Sequence, residues 1–389
     1  MKKPMILICL LLLIGGPILA EPKFKKISIT ESNNAPYFLY SGEGVFAKRD
    51  LAYLTELKTY VEAHGFPTEE KNGEVNFMLS SLKWVSSQWD HDGMNEPAKG
   101  AKGLDVLKNV YQKNIKYRCV EYGLVLSDVL QAYGFVTRSI ALRSVDVAYG
   151  KPGSGHVATE VWANALDKWI FLDGQFGLYL TTRGSTTPLN YYEIFQEKKA
   201  GRWDALELHF LKPSTNVAQD TKDYKTFLSN YFGYISVSDG AVGAPRVSLL
   251  LESHNQSVTF QGMQQDDVIF TDDVRLVYPE MNRVAIVMTY RHAPPDFKSL
   301  FGKLKIENNE DYLKNMGAFA AVPEFVANLK TTEPFFDHYE YRIDSRKWSS
   351  LSENSFEWNV KKPTSRLEVR AVNKFGRPGP VTFMVVTYE

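Results

Sequence analysis

Cysteine is nearly absent from this 389-residue chain, which carries only Cys9 and Cys119. Cys9 falls inside an N-terminal apolar run, so an exported and processed form keeps one thiol, and a disulfide framework is excluded. A lone thiol in such a protein is either a small buried hydrophobe or a nucleophile. An excess of charge of one sign is missing as well. Lys plus Arg and Asp plus Glu each total 45. Without Lys2 and Lys3 the balance is 43 to 45, a net charge of −2. Nearly neutral composition leaves no electrostatic footprint for nucleic acid or for an anionic membrane surface. There is no repeat of fixed period, no low-complexity tract and no second long apolar run. The 44% hydrophobic and 23% charged residues are those of an ordinary globular chain.

The N-terminus has the layout of a secretory signal peptide over residues 1–20. Lys2 and Lys3 form a positive start, residues 5–14 are uninterrupted and apolar, and Gly15, Gly16 and Pro17 break any helix before Ala20. The run falls short of the roughly 20 apolar residues that a membrane span needs. Ile18 is bulkier than the small residue favoured near a cleavage point, which leaves the cut position open. The expectation is export to the periplasm or the extracellular space, with no membrane association after cleavage.

Three zones separate on pattern. In residues 50–199, helical periodicity comes first: Leu51, Leu54, Leu57, Tyr60 and Val61, then Phe77, Leu79, Leu82, Trp84 and Val85, then a short amphipathic stretch over 104–111. From about 247 onward, β-branched and aromatic runs dominate, at 247–251, 268–270 and 283–290. Runs at 339–343, 355–360, 366–372 and 381–388 space four strands regularly, which reads as a separate small β-sandwich. Residues 205–245 are the least legible and read as a connector with some helix.

The chemistry-bearing residues sit in the first zone. After Cys119, apolar residues recur at Tyr122, Val125, Leu126, Val129, Leu130 and Tyr133, and Gly134 supplies a left-handed stop. Cys119 therefore opens a helix, where unpaired backbone N–H groups and the helix dipole favour a thiolate and offer donors to an oxyanion. Lys116 and Arg118 stand ready to add to the effect. Beyond a turn-rich loop at 150–155, residues 157–162 and 169–172 read as a hairpin closed by a turn at 164–167. A hairpin centred between Asn164 and Ala165 sets His156 directly opposite Asp173 on one face, with Cβ atoms about 4.5–5.5 Å apart. A slip of one residue would send the two to opposite faces. A carboxylate beside a histidine fixes its tautomer and stabilises its protonated form, which equips it to exchange a proton with a thiol.

These residues resemble the transglutaminase-like superfamily, a branch of papain-like folds. The resemblance spans residues 105–177, about a fifth of the chain. It rests on Arg118-Cys119-Val120-Glu121-Tyr122, on Ala132-Tyr133-Gly134-Phe135-Val136-Thr137-Arg138, on His156-Val157-Ala158-Thr159-Glu160-Val161-Trp162 and on Trp169-Ile170-Phe171-Leu172-Asp173. It implies Cys119 as nucleophile, His156 as general base and acid, and Asp173 as the group that orients the histidine. Two positions depart from the family pattern: Arg118 where a small residue is common, and Gly174 where proline is common. The implied fold is α+β, a nucleophile helix packed on an antiparallel sheet, followed by β-rich modules ending in an immunoglobulin-like sandwich. The expected division is a signal peptide at 1–20, a catalytic domain at 21–200, a connector and β-rich middle region at 201–330, and the sandwich at 331–389.

Papain-like sites pair the backbone N–H of the cysteine with an upstream side-chain donor. Gln112, seven residues before Cys119, is the candidate, with Trp84 and Trp89 as other donors. Glu160 alternates onto the His156 face, either to support the ring or simply to form a salt bridge. Asp128 reads as polar surface. His91, between Asp90 and Asp92, reads as a solvated loop, because no histidine or cysteine sits at ligand spacing; no metal or organic cofactor is expected. Asn255-Gln256-Ser257 has the form of a glycosylation sequon. The expected activity is cysteine-dependent attack on an amide carbonyl of a protein or peptide, cell-wall peptide included, with hydrolysis favoured over cross-linking to an amine. An inactive peptide-binding protein and a structural surface protein built on the β-modules are the alternatives.

Overall fold

The structure, a computed structural model, describes residues 26–35, 48–68, 73–145, 155–237, 246–252, 268–292, 296–319 and 322–388. The expected signal peptide with Cys9, most of the 150–155 loop and the sequon at 255–257 lie outside the described residues. Among the described residues no helix is long and apolar enough to cross a membrane.

The chain is α+β. The periodic segments form helices α1 (Leu51–Ala63), α2 (Glu74–Ser86), α3 (Gly103–Lys113) and α4 (Cys119–Ala132). Asp50 caps α1 by accepting from the Tyr53 N–H, and Glu121 closes a capping box on the Arg118 N–H at the start of α4. Helix α4 is central. The other three helices pack against it, and Tyr122, Val125, Leu126, Val129 and Leu130 are fully buried. This enclosure overturns the surface assignment of Asp128, which is 0% exposed. Its carboxylate accepts from Arg49 Nε at 2.7 Å, Tyr53 Oη at 2.6 Å and the Gly103 N–H at 2.9 Å, so a buried charge is matched by donors from three directions.

Strands β2 (Thr137–Arg143), β3 (Gly155–Ala163), β4 (Lys168–Leu172), β7 (Tyr234–Val237), β8 (Arg246–Leu250) and β9 (Val268–Thr271) form one sheet in the order β4-β3-β2-β7-β8-β9. All neighbours are antiparallel except β8 and β9. Between β4 and β7 the chain forms a hairpin of β5 (Leu178–Thr182) and β6 (Leu206–Phe210), with α5 (Tyr191–Lys199) between them and α6 (Val217–Leu228) after them. Alternation along β3 and β4 splits the core. Val161, Ala163, Ile170 and Leu172 join the cluster under the helices, whereas Ala158, Trp162, Trp169 and Phe171 join a second cluster with α5, α6 and β7.

The C-terminal strands form two sheets around a shared apolar cluster. One has the order β1 (Ile27–Ser32), β16 (Thr382–Tyr388), β15 (Thr364–Asn373), β12 (Phe336–Ile343), β13 (Ser349–Leu351). The other runs β10 (Val284–Tyr290), β11 (Glu324–Thr331), β14 (Ser355–Asn359). Strand pairing thus crosses both boundaries expected near 200 and 331. The first sheet reaches β9, and the sandwich recruits β1 from the N-terminal region together with β10 and β11.

The sandwich is docked on the helical core. Asn373 Nδ2 donates to the Gly134 carbonyl at 2.9 Å, Arg377 Nε donates to the Tyr133 carbonyl, and the Arg377 guanidinium lies 3.7 Å from the centre of the Phe135 ring. Phe335 belongs to the core cluster under the helices. Gly134, at φ +82°, ends α4 as its position predicts, and a Cβ there would stand 2.6 Å from Phe375 Cβ. Gly184 has a similar φ of +73° but open space around it. Gly134→Ala is therefore expected to cost about 2–4 kcal/mol in urea denaturation, against about 1 kcal/mol for Gly184→Ala. Equal losses would mean that the docked loop yields freely.

Candidate active site

Cys119 is the first residue of α4 and is partly exposed. Of the cations expected to act on it, Lys116 Nζ is 2.7 Å from Asp90, and Arg118 pairs with Glu96 and Glu121, so both charges are already matched.

The hairpin that carries the other two residues differs from the expected register. Glu160 pairs with Phe171 and Thr159 with Leu172, so Asp173 falls opposite Ala158 and His156 sits one diagonal away. The shift is two residues, because the turn at 164–167 is centred between Ala165 and Leu166, one residue beyond the expected centre, and is closed by Asp167 at φ +53°. A two-residue shift preserves the face. The side chains still meet: His156 Nε2 is 2.8 Å from Asp173 Oδ2.

His156 is 2% exposed and Asp173 is 0% exposed. Four donors converge on the Asp173 carboxylate. His156 Nε2 and Tyr224 Oη reach Oδ2, each at 2.8 Å, and the N–H groups of Gln175 and Phe176 reach Oδ1, each at 3.1 Å. Phe227, Phe176 and Tyr231 surround the imidazole at centroid separations of 5.1, 6.0 and 6.2 Å. Burial disfavours the charged ring, but the Asp173 charge and hydrogen bond, with a further contribution from Cys119, outweigh it and push the His156 pKa up to about 9. Cys119 is therefore close enough to the ring for both a hydrogen bond and a charge interaction. With Nε2 committed to Asp173, Nδ1 is the nitrogen left for the sulfur. Such contacts commonly tighten only when substrate binds. Nearby, burial and the Cys119 charge raise the Tyr231 hydroxyl pKa, and burial opens the same gap for Tyr224, where Asp173 widens it.

The other expected residues are not brought to this point. Gln112 is exposed on the last turn of α3, and no contact among the described residues links it to the thiol or the ring. Trp84 Nε1 donates to the His64 carbonyl and Trp89 Nε1 to the Tyr117 carbonyl. Glu160 does not support His156. It accepts from Arg138 Nη2 at 2.6 Å, the Tyr191 N–H at 2.8 Å and Tyr278 Oη at 3.0 Å, while the Arg138 guanidinium lies between the Trp169 and Tyr278 rings. This fully buried ion pair locks the same face of the sheet, farther along β3 from His156.

Sequence reasoning missed Tyr224, Phe227 and Tyr231, all from the stretch read as connector, and Lys212, whose Nζ donates to the Gln175 carbonyl at 2.9 Å. Burial holds the Lys212 pKa below its ordinary value, and Asp173 and Asp90 only partly offset this. His91 was also passed over. It lies close enough to His156 and Asp173 to feel both charges, and burial, reinforced by His156, lowers its pKa. Among the described residues no group of three or more histidines, cysteines and acids is placed to hold a metal ion. Comparison with protein-family models finds no match, and comparison with curated proteins finds none either.

The His156 pKa fixes a sign for the pH dependence of stability. Because the folded pKa of about 9 lies above the ordinary 6.5, the ring stabilises the fold fully below about pH 6.5 and loses that contribution as pH rises through 9. The difference is worth roughly 3 kcal/mol. The stability gap between the wild type and His156→Gln, measured by urea denaturation, is expected to shrink by that order between pH 6 and pH 9.5. A constant gap would mean that the ring carries no retained proton.

Proposed function

We propose that this chain is an exported cysteine-dependent acyl-transfer enzyme of transglutaminase-like type, with a papain-like core and an immunoglobulin-like C-terminal sandwich. The observation that supports it is a sulfur at the start of a buried helix, in range of an imidazole that a four-donor carboxylate holds in place.

The chemistry follows from proton positions. The reacting form is the pair in which His156 holds the proton and Cys119 is the thiolate, and the sulfur attacks an amide carbonyl carbon. A C–S bond forms as the carbonyl π-electrons move onto oxygen. The Cys119 backbone N–H, in the first turn of α4 where the helix's own ladder leaves it without a partner, serves as a donor to that oxyanion. When the tetrahedral species collapses, the C–N bond breaks and the His156 proton goes to the leaving amine, giving a thioester. Water then attacks with His156 taking its proton, and the acid and free thiol are released. An amine in place of water gives transfer. Hydrolysis is favoured because water needs no second binding site. Asp173 keeps the ring oriented and its charge compensated throughout. The substrate is a protein or peptide, cell-wall peptide included.

Alkylation of Cys119 by iodoacetamide, followed by peptide mass mapping, tests this directly. The wild type is expected to react on the order of 10²-fold faster than His156→Ala. Equal slow labelling of the two proteins points instead to a peptide-binding protein without turnover. Incubation with a peptide library containing free amines then separates the outcomes: shortened products mean hydrolysis, joined products mean transfer, and amide-to-acid exchange at glutamine means deamidation.

A further inference from the structure

The side-chain donor expected upstream of the cysteine is not Gln112, and both tryptophan N–H groups are committed to backbone carbonyls. A different residue lies on a segment held close to the start of α4. The segment 89–95 is fastened to the chain just before Cys119 at several points. The Trp89 Nε1–H and the Asp92 backbone N–H both donate to the Tyr117 carbonyl, at 3.3 and 3.0 Å, and Asn95 Nδ2 donates to the Lys116 carbonyl at 3.0 Å. Tyr122, on the first turn of α4, donates its hydroxyl to the Trp89 carbonyl at 2.5 Å and stacks on the Trp89 ring at 4.2 Å. Asp92 closes the segment by accepting from the Met94 N–H and from Asn95 Nδ2. His91 lies between the two anchors on Tyr117, a carbonyl two residues before the sulfur. His91 is only partly buried, and no described residue hydrogen-bonds its ring nitrogens.

We propose that His91 is the side-chain oxyanion donor of this site: its neutral imidazole N–H, together with the Cys119 backbone N–H, binds the carbonyl oxygen as charge develops on it. This rests on the acyl-transfer function proposed above and names a further catalytic residue for it. Burial and the neighbouring His156 keep His91 in the neutral form, which retains one N–H to donate and brings no second cation beside the protonated His156. The two histidines then divide the work, one carrying the mobile proton and one receiving the negative oxygen.

Two reagents separate this role from the reactivity of the thiol itself. Iodoacetamide alkylates sulfur by displacement at carbon and forms no oxyanion, whereas p-nitrophenyl acetate acylates it through a tetrahedral oxyanion. In the full chain, His91→Ala is expected to lower the acylation rate at Cys119 by about 10²-fold, in the range seen when one oxyanion donor is removed, while alkylation proceeds essentially as in the wild type. His91→Gln, which restores an N–H donor of similar reach, is expected to recover much of the loss. Acylation unchanged in His91→Ala, acylation and alkylation falling together, or a wild type that alkylates rapidly but does not acylate would each overturn the assignment. Slow alkylation of the wild type, matching that of His156→Ala, would overturn the proposed function beneath it.

Discussion

The candidate site depends on one buried electrostatic arrangement, an imidazole with almost no exposed surface held against a carboxylate with none. Neither group is tolerable alone in that environment. Asp173 is made tolerable by four donors, two of them backbone N–H groups of the turn that immediately follows it, so the sequence after the aspartate supplies part of its own solvation. His156 is made tolerable by Asp173, and the ring's proton is retained because the carboxylate's attraction exceeds the cost of burial. Three aromatic rings pack around the imidazole, and with Nε2 committed to Asp173 one ring nitrogen is left for Cys119.

That helix start is itself overdetermined. Helix α4 is surrounded by α1, α2, α3 and the sheet, and its polar residues are buried with partners: Asp128 with Arg49, Tyr53 and the Gly103 N–H, Glu121 with Arg118. Its far end is gripped by the sandwich through Asn373 and Arg377. The sulfur therefore sits at the end of a rod fixed along its whole length, as a site demanding sub-ångström placement requires. The sandwich belongs to this support and is more than an appended module.

Much of this was legible in the sequence, for physical reasons that also mark where legibility stopped. Helical periodicity located α1 to α4, and Gly134 ended α4 where a left-handed residue was needed. The period-2 pattern of β3 and β4 put His156 and Asp173 on one face, but their register was off by two residues. Face is set by alternation, whereas register is set by the turn, and the left-handed Asp167 in a four-residue turn leaves no hydrophobic signature. Asp128 read as surface because its partners lie 25 to 79 residues away in sequence. Tyr224, Phe227 and Tyr231 were invisible as site residues, since their role arises only when α6 and the segment after it fold back over the sheet. The four C-terminal strands were spaced regularly enough to find, while the recruitment of β1, β10 and β11 reflects non-local pairing that no local pattern encodes. Gln112 failed as a donor because spacing along the chain says nothing about which way a helix end points.

The central claim, that Asp173 keeps His156 protonated beside Cys119, is tested most directly by following the His156 ring resonances by NMR as pH is varied. The account predicts a ring protonated through neutrality, titrating near pH 9, and dropping by about 1–3 units in Asp173→Asn. A ring that titrates at or below the ordinary histidine value in the wild type, or one indifferent to Asp173→Asn, would contradict it.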